Sequence, residues 1–223
     1  IVPHATECML RVRLIPQRPG VVHRLDRYTS GVLIAAKTLN AQRSLLDGFA
    51  QRRVFKVYLA VCGGLPAELT TVTEPIGRHP VDRLKMGVVP EERGGRAALS
   101  VVHRLASDGR LSLVAVRIGT GRTHQIRVHM QHLRCPILGD PVYGDPNRNR
   151  KEGARTDRPL LHAWQLRAAH PHTGDVMHID APPPADLTAA AASLIGCDEA
   201  DVGGWLAARA EVMFGETLKG FAF

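Results

Sequence analysis

The sequence predicts one globular domain that mixes β-strands with helices. A chain of 223 residues with 44% hydrophobic residues is long enough to form a substantial core. Short alternating or apolar runs bounded by turn residues predict the strands 54–62, 99–105, 111–118, 160–168 and 176–179. Apolar residues at helical spacing predict the helices 40–53, 123–133, 185–195 and 202–214.

The first informative segment is a polar loop between two predicted strands. Val21–Leu25 is a short extended run, 26–31 is polar, and Val32–Ala36 is typical of a buried strand. Asp26 is therefore predicted on a loop between strands. Asn40 is the predicted N-cap of the helix that follows.

The middle of the chain is rich in turns. Segment 63–98 contains many Gly, Pro and Arg residues and predicts hairpins and loops. A turn at 107–109 joins two strands, and Gly119–Gly121 ends the second of them. The next helix stops before Pro136, and 139–149 is predicted as loop.

The charge favours a polyanionic partner. The chain has 29 Lys and Arg against 21 Asp and Glu, for a net charge of +8, and such a field attracts nucleic acid. From residue 185 onward, however, six acidic side chains oppose two basic ones. This acidic tail is expected to pack behind the domain or to interact elsewhere, because it would be repelled by a phosphate backbone.

Several protein classes are disfavoured. Cys8, Cys62, Cys135 and Cys197 stand far apart without a C-x-x-C pair, which predicts free thiols in place of a zinc knuckle or disulfide framework. No apolar run is long enough for a membrane span. We therefore expect an intracellular, cytoplasmic monomer, or an organellar one if a targeting segment has been removed.

Three separated segments carry the most specific signal. They are HRLDRYTSG at 23–31, KVYLAV at 56–61 and GRTHQIRVH at 121–129. In this order they resemble the RluA family of RNA pseudouridine synthases, from Arg18 to about Leu187. The resemblance implies an α+β catalytic domain with a mostly antiparallel mixed sheet flanked by helices. It also implies conversion of selected uridines to pseudouridine in structured rRNA or tRNA, without a cofactor.

The resemblance also implies roles for three residues. Asp26 corresponds to the essential carboxylate, Tyr58 to the active-site aromatic residue and Arg127 to the basic partner of Asp26. Such an arginine can orient a carboxylate through charge-assisted hydrogen bonds. The carboxylate can then add to the sugar or base, or abstract a sugar proton, and the sequence leaves both routes open.

A second set of residues is predicted to bind RNA. Arg24 and Arg27 flank Asp26 and are placed to grip the backbone or fill the space left by a flipped base. Arg122, His124 and Gln125 precede or begin a helix, where backbone N–H groups favour phosphate.

Two other functions remain open at this point. One is a non-catalytic RNA-binding or ribosome-assembly factor that retains the fold. The other is a metal-dependent hydrolase that uses His124, His129 and His132, although the run lacks H-E-x-x-H and no metal is expected.

The domain organisation follows from the extent of the resemblance. Residues 1–187 are predicted as the catalytic domain and 188–223 as a helical acidic tail. Only 22 residues precede His23, so the chain is expected to begin downstream of an upstream segment that family members usually carry.

Overall fold

The computed structural model describes residues 20–82, 84–152 and 158–217, with the backbone alone for 211–217. Predictions that concern residues 1–19, including the free thiol of Cys8, lie outside the described residues. The strands are β1 Ser30–Gly31, β2 Phe55–Gly63, β3 Leu69–Val72, β4 Ile76–Arg78, β5 Met86–Val88, β6 Ser100–Ser107, β7 Leu111–Ile118, β8 Leu161–Ala169 and β9 Val176–Asp180. The helices are α1 Leu39–Ala50, α2 Gln125–His132, α3 Pro146–Lys151, α4 Ala185–Ile195 and α5 Val202–Thr217.

One seven-stranded sheet organises the fold. Its strand order is β1-β8-β2-β7-β6-β3, and β9 also pairs with β8. Among the described strands of this sheet, β1 and β8 pair in parallel and the other pairs are antiparallel. The predicted α+β fold with a mostly antiparallel mixed sheet is therefore confirmed. A separate hairpin of β4 and β5 lies outside the sheet.

Strand β2 is covered on both faces, because its side chains alternate between two apolar clusters. Val57, Leu59 and Val61 belong to a cluster that includes Leu187 of α4 and Leu206 of α5. Tyr58, Ala60 and Cys62 lie on the opposite face of β2 and belong to a second cluster, which includes Ile126 and Met130 of α2. Full burial of a large apolar side chain such as Leu59 stabilises the fold by about 1.5–3 kcal/mol.

The C-terminal helices therefore lie on the face of the sheet opposite Tyr58. Leu187, Ala191, Val202 and Leu206 are almost completely buried in the same cluster as β2 and β7. The packing is continuous across residue 187, so the helices of the acidic tail form part of the main core. The predicted domain boundary stays a prediction.

The strands predicted on either side of Asp26 are wrong in extent. The structure has an isolated bridge between Val21 and Ala35 and the two-residue strand β1. The backbone N–H of Ile34 donates to Nε2 of His23 over 2.9 Å, so a side chain replaces a strand partner. The segment is consequently an irregular, side-chain-anchored loop.

Two local predictions also need correction. Thr38 caps α1 in place of Asn40: its backbone is extended and its hydroxyl accepts from the N–H of Ala41. The predicted loop 139–149 contains the start of α3, where Asp145 accepts from two backbone N–H groups and Pro146 occupies the first turn.

The described residues bear on the predicted free thiols and on the predicted lack of a membrane span. Cys62, Cys135 and Cys197 are free cysteines. Within residues 20–82, 84–152 and 158–217, no helix is both long and apolar enough to cross a bilayer.

Candidate active site

A cavity of about 350 Å³ opens on the face of the sheet that carries Tyr58. Segment 22–29, the end of α1, β2 and the start of α2 contribute its walls. Its polar lining includes Arg24, Asp26, Lys56, Tyr58, Arg122 and Gln125. The volume lies within the range of ordinary small-ligand pockets, and the lining joins all three sequence motifs.

Asp26 lies in the irregular loop and faces this cavity. A turn follows it, in which the N–H of Thr29 donates to the Asp26 carbonyl over 3.0 Å. Tyr28 adopts a left-handed backbone with φ of 74°, which is uncommon for a residue with a large side chain. The Asp26 side chain is 18% exposed, so water still reaches the carboxylate.

Arg127 lies behind Asp26 and holds two carboxylates. Its Nη1 is 3.8 Å from Oδ2 of Asp26. Its shorter contacts are with Asp140: Nε donates to Oδ2 over 2.6 Å and Nη2 to Oδ1 over 2.9 Å. Arg127 is thus fixed by a bidentate pair and presents its remaining nitrogen to Asp26.

The electrostatics of this pair follow from its burial. Burial alone would lower the pKa of Arg127, but its hydrogen bonds with Asp140 and the charges of Asp140 and Asp26 outweigh that effect and raise it. Burial would raise the pKa of Asp140, yet Arg127 and the N–H groups of Tyr143 and Val142 lower it. Both groups are therefore held in their charged forms.

Tyr58 extends from the centre of β2 toward the cavity. The pairing of β2 with β8 changes register between Val57 and Tyr58, where Trp164 of β8 is the extra residue, so β2 itself stays regular. Burial, and then the charge of Asp26, raise the pKa of Tyr58. The phenol is consequently neutral, which favours a stacking or hydrogen-bonding role over that of a free base.

Lys56 is a second functional group of the cavity that the sequence predictions left without a role. It precedes Tyr58 by two residues, so the two side chains share a face of β2. Its Nζ lies 5.5 Å above the ring of Phe49, and His23 stacks on the same ring. Burial lowers the pKa of Lys56 to about 8, so the amine can exchange protons near neutral pH.

Arg24 and Arg27 occupy different positions. Both are exposed, but Arg24 lines the cavity, whereas the guanidinium of Arg27 lies 4.8 Å from the centre of the Tyr28 ring. Arg24 is therefore the better placed of the two to meet a nucleotide that enters the cavity.

Arg122 forms part of a positively charged rim. Its Nε donates to the Ala97 carbonyl over 2.9 Å. Burial, and then the nearby charges of Arg96 and Arg52, lower its pKa. Mutual repulsion of these arginines would be relieved by a phosphate group, which fits the predicted RNA-binding role.

Gln125 is a structural residue of the loop before α2. Its Oε1 accepts from the Thr120 hydroxyl and the Arg122 N–H, and its Nε2 donates to the Leu99 carbonyl and the Ser100 hydroxyl. Four partners use the hydrogen-bonding capacity of the amide. Gln125 is therefore already satisfied within the protein and orients Arg122, in contrast to its predicted direct contact with phosphate.

Two of the three histidines considered as metal ligands, His124 and His129, form hydrogen bonds with different groups of the protein. Nδ1 of His124 lies 2.8 Å from the Tyr143 hydroxyl. His129 is fully buried and bonded to the Ser100 hydroxyl and the Glu74 carbonyl. Across the described part of the chain, no three His, Cys, Asp or Glu side chains are grouped as metal ligands.

Asp140 and Tyr143 are the main residues of the site to which the sequence analysis gave no role. Besides its contact with His124, Tyr143 accepts from the N–H of Met86 over 2.8 Å, and the Arg127 guanidinium lies 4.9 Å from its ring centre. Tyr143 thus links the β4–β5 hairpin to Arg127. An aspartate directly after the apolar run Ile137–Gly139 was the available signal for Asp140.

Comparisons with known proteins agree with this geometry. Residues 6–132 match the family model described as RNA pseudouridylate synthase. An uncharacterized RNA pseudouridine synthase of Chloroflexus aurantiacus is 49% identical over 170 residues, covering 76% of this chain and 52% of that protein. The ribosomal large subunit pseudouridine synthase D of Nitrosomonas europaea is 41% identical over 175 residues, covering 77% and 50%. The chain thus spans about half the length of these curated relatives.

Solved structures give the same family. Human RNA pseudouridylate synthase domain containing 1 aligns with a TM-score of 0.64 and 31% identity, over 73% of this chain and 68% of that one. Human RNA pseudouridylate synthase domain containing 4 aligns with a TM-score of 0.62 and 28% identity, over 75% and 72%. With a family model that covers more than half of its length, the chain belongs to the RNA pseudouridylate synthase family, as its resemblance to RluA-type enzymes predicts.

Proposed function

We propose that this protein converts selected uridines in RNA to pseudouridine, with Asp26 as the catalytic carboxylate. The observation that carries the proposal is the position of Asp26 on the wall of the 350 Å³ cavity, beside Tyr58 and backed by Arg127. The family membership of the chain supports the same reaction class.

The geometry suits the steps of an isomerisation. The N1–C1′ bond breaks, the uracil turns within the cavity, and a bond forms between C5 and C1′. A base removes the C5 proton and N1 gains a proton, so the overall reaction is an isomerisation. The Arg127 guanidinium lies 3.8 Å from Oδ2 of Asp26, too far for a hydrogen bond, and its charge attracts the carboxylate toward the back wall of the cavity. Tyr58 offers a flat neutral ring on which the uracil can stack as it turns.

Proton removal from C5 is the step for which Tyr58 is poorly prepared, because its pKa is raised. Lys56 lies on the same strand face, and its pKa of about 8 leaves a usable fraction of neutral amine at pH 7 to 8. We infer that Lys56 or the Asp26 carboxylate takes this proton, with Tyr58 as the stacking partner.

The substrate must leave its stack to reach the cavity. Unstacking costs a few kcal/mol, which contacts with phosphates can offset. Arg24 on the cavity wall and the arginine cluster around Arg122 provide such contacts. We propose rRNA as the substrate class, because several relatives are named as ribosomal large subunit pseudouridine synthases.

The decisive experiment is tritium release from RNA that carries 5-tritiated uridine and lacks the modification. The unaltered protein is compared with Asp26→Asn, which keeps the side-chain shape and removes the carboxylate. Asp47→Asn, on the exposed side of α1, is the matched control. We expect release from the unaltered protein and the control, and none from Asp26→Asn.

Other outcomes would contradict parts of this proposal. RNA binding without release from any variant would overturn the enzymatic proposal and indicate a non-catalytic RNA-binding protein. Equal release from Asp26→Asn would exclude Asp26 as the catalytic group. Separate assays of unmodified rRNA and tRNA, followed by mapping of the product, test the substrate class.

We further propose that the protein acts as a monomer, because Asp26, Tyr58, Arg127 and the cavity walls all belong to one chain. Light scattering of the active fraction after gel filtration tests this. Activity confined to a dimer peak would contradict it.

A further inference from the structure

A chain of side chains links the Asp26 loop to the first turn of helix α4. Arg158 binds Asp186 through two hydrogen bonds, from Nε to Oδ2 over 2.7 Å and from Nη2 to Oδ1 over 2.6 Å. Asp186 lies at the start of α4, which Leu187 anchors in the main core. The guanidinium is therefore fixed in position by a part of the protein that is remote in sequence from Asp26.

The other edge of the Arg158 guanidinium faces the Asp26 loop. Its Nη1 donates to the Tyr28 carbonyl over 3.2 Å and to the Ser30 hydroxyl over 3.3 Å. One planar group thus bridges a helix terminus and two residues of the loop. Arginine suits this position, because its five donors have a fixed geometry.

His162 completes the anchor from strand β8. Its Nε2 lies 3.0 Å from the Ala181 carbonyl and its Nδ1 2.9 Å from the Ser30 hydroxyl. A carbonyl only accepts, so Nε2 carries the proton and Nδ1 accepts from Ser30. The Ser30 oxygen is then oriented to accept from Arg158. Burial lowers the pKa of His162, which keeps this neutral arrangement.

The anchored residues determine where Asp26 lies. Tyr28 holds a left-handed backbone, and the turn from Thr29 to Asp26 joins it to the carboxylate-bearing residue. Beyond Ser30, β1 pairs with β8, and the N–H of Val32 donates to the Ala163 carbonyl over 2.8 Å. The loop is therefore held within two to four residues of Asp26.

We propose that Arg158 and Asp186 are positioning residues, which hold the Asp26 carboxylate in its reacting geometry through the Tyr28 carbonyl and the Ser30 hydroxyl. This inference rests on the proposed function. It assigns a role in the active site to the helix that begins the acidic C-terminal region, although that helix covers the opposite face of the sheet.

A purely structural ion pair would leave the contacts of Arg158 with the loop unexplained. The Arg158 and Asp186 side chains are 20% and 25% exposed, and partly exposed pairs usually contribute little to stability. Two further donor contacts to the loop have no bearing on how α4 packs. A positioning role predicts that loss of the pair lowers activity much more than stability. A structural role predicts that it lowers stability and leaves the activity of the folded protein unchanged.

The first test compares Asp186→Asn and Arg158→Lys with the unaltered protein in steady-state tritium release. Asp186→Asn weakens the clamp on the guanidinium, and Arg158→Lys cannot span both partners. We expect kcat to fall about 10- to 100-fold, as small misplacements of reacting groups do, with KM for RNA within about twofold. Glu152→Gln, which alters the ion pair of Arg110 with Glu152 at 3.5 Å, is the matched control and should not change kcat.

The exchanged pair Arg158→Asp with Asp186→Arg separates positioning from folding. It retains opposite charges between the two sites, but an aspartate cannot donate to the Tyr28 carbonyl. We expect its thermal stability to stay close to that of the unaltered protein while kcat stays low. Recovery of kcat in the exchanged pair would overturn the proposal.

Amide hydrogen exchange provides a readout that does not depend on turnover. Peptides covering residues 26–32 should exchange faster in Asp186→Asn than in the unaltered protein, while peptides from β2 remain unchanged. Unaltered exchange in this loop, or unchanged kcat in both single variants, contradicts the positioning role. Inactivity of the unaltered protein would refute the proposed function, and the exchange experiment would still decide whether Asp186 anchors the loop.

Discussion

Replacing Asp140 by asparagine tests how far the site depends on its buried acid–arginine pair. Asp140 and Arg127 are 1% and 5% exposed. Oδ1 of Asp140 accepts from Arg127 Nη2 and from the N–H groups of Val142 and Tyr143. An asparagine oxygen at that position can keep these three contacts. Its amide nitrogen would then face the Nε–H of Arg127, donor against donor, where a 2.6 Å bond now exists.

The expected loss of stability in Asp140→Asn follows from these contacts. One charge-assisted hydrogen bond is lost, worth about 1.5–3 kcal/mol, and Arg127 loses its buried counter-charge. Breaking one side of a buried pair costs about 3–5 kcal/mol. Asp26 at 3.8 Å offsets part of this cost, so we expect the free energy of unfolding to fall by about 3 kcal/mol. Since domains of this kind are stable by about 5–15 kcal/mol, the variant should still fold.

Urea unfolding, followed by fluorescence of Trp164 and Trp205, measures this change at constant m-value. In the same preparation, tritium release should fall at least about tenfold, because Arg127 no longer holds one orientation relative to Asp26. Asp26→Asn is the counterpart: it should abolish release and change stability by less than about 1 kcal/mol, as expected for a longer, partly exposed contact. Stability and activity of Asp140→Asn within error of the unaltered protein would refute the reasoning.

Three further predictions concern the loop and the cavity. Burial lowers the pKa of Lys56 from 10.5 to about 8, so the unfolded chain binds more protons between these values and stability should rise with pH across that window. Urea midpoints of Lys56→Met should lack this rise, and at pH 7 the variant should be more stable yet slower in tritium release. Burial, and then the charge of Lys56, lower the pKa of His23 from 6.5 to about 4, so stability should fall as the pH drops through this range and a protonated His23 can no longer accept from Ile34. A His23→Gln variant with the same acid dependence would contradict this assignment. Gly31 has φ of 109°, and a Cβ there would collide with the Ala163 carbonyl oxygen. Gly31→Ala should therefore lower the free energy of unfolding by more than about 1 kcal/mol. Gly174 has φ of 81° but lies in open space, so Gly174→Ala measures the cost of the backbone angle alone.

The parts of the fold that sequence patterns predicted are those determined by local periodicity. Alternation along 54–62 predicted β2, whose two sets of side chains pack into opposite clusters. Helix α3 was missed because the five residues after Pro146 are polar and the helix lacks an apolar stripe. Asp145 and Pro146, an N-cap followed by a first-turn proline, were the signal that could have revealed it.

In the site, too, the sequence predicted some residues and not others. Motifs predicted Asp26, Tyr58 and Arg127 as a group, and the structure brings all three to one cavity or its back wall. The anchors of that group depend on contacts between distant segments: Arg158 lies 130 residues from Tyr28 along the chain, and β1 pairs with residues 162 and 163. Such partners leave no periodic pattern, so the role of Asp186 could not be assigned from sequence spacing.

Two acid–arginine pairs converge on the short segment that carries Asp26, and they act on different parts of it. Asp140 fixes Arg127, which approaches the Asp26 carboxylate itself, whereas Asp186 fixes Arg158, which binds the Tyr28 carbonyl and the Ser30 hydroxyl, two and four residues further on. An irregular loop with few ladder hydrogen bonds has low local stability, so a carboxylate on it would sample several positions unless both its side chain and its backbone were held. Each arginine is itself bound by an acid from outside the loop. The sheet and its helices therefore determine the position of Asp26. This explains how a residue in coil can meet the sub-ångström requirements of catalysis.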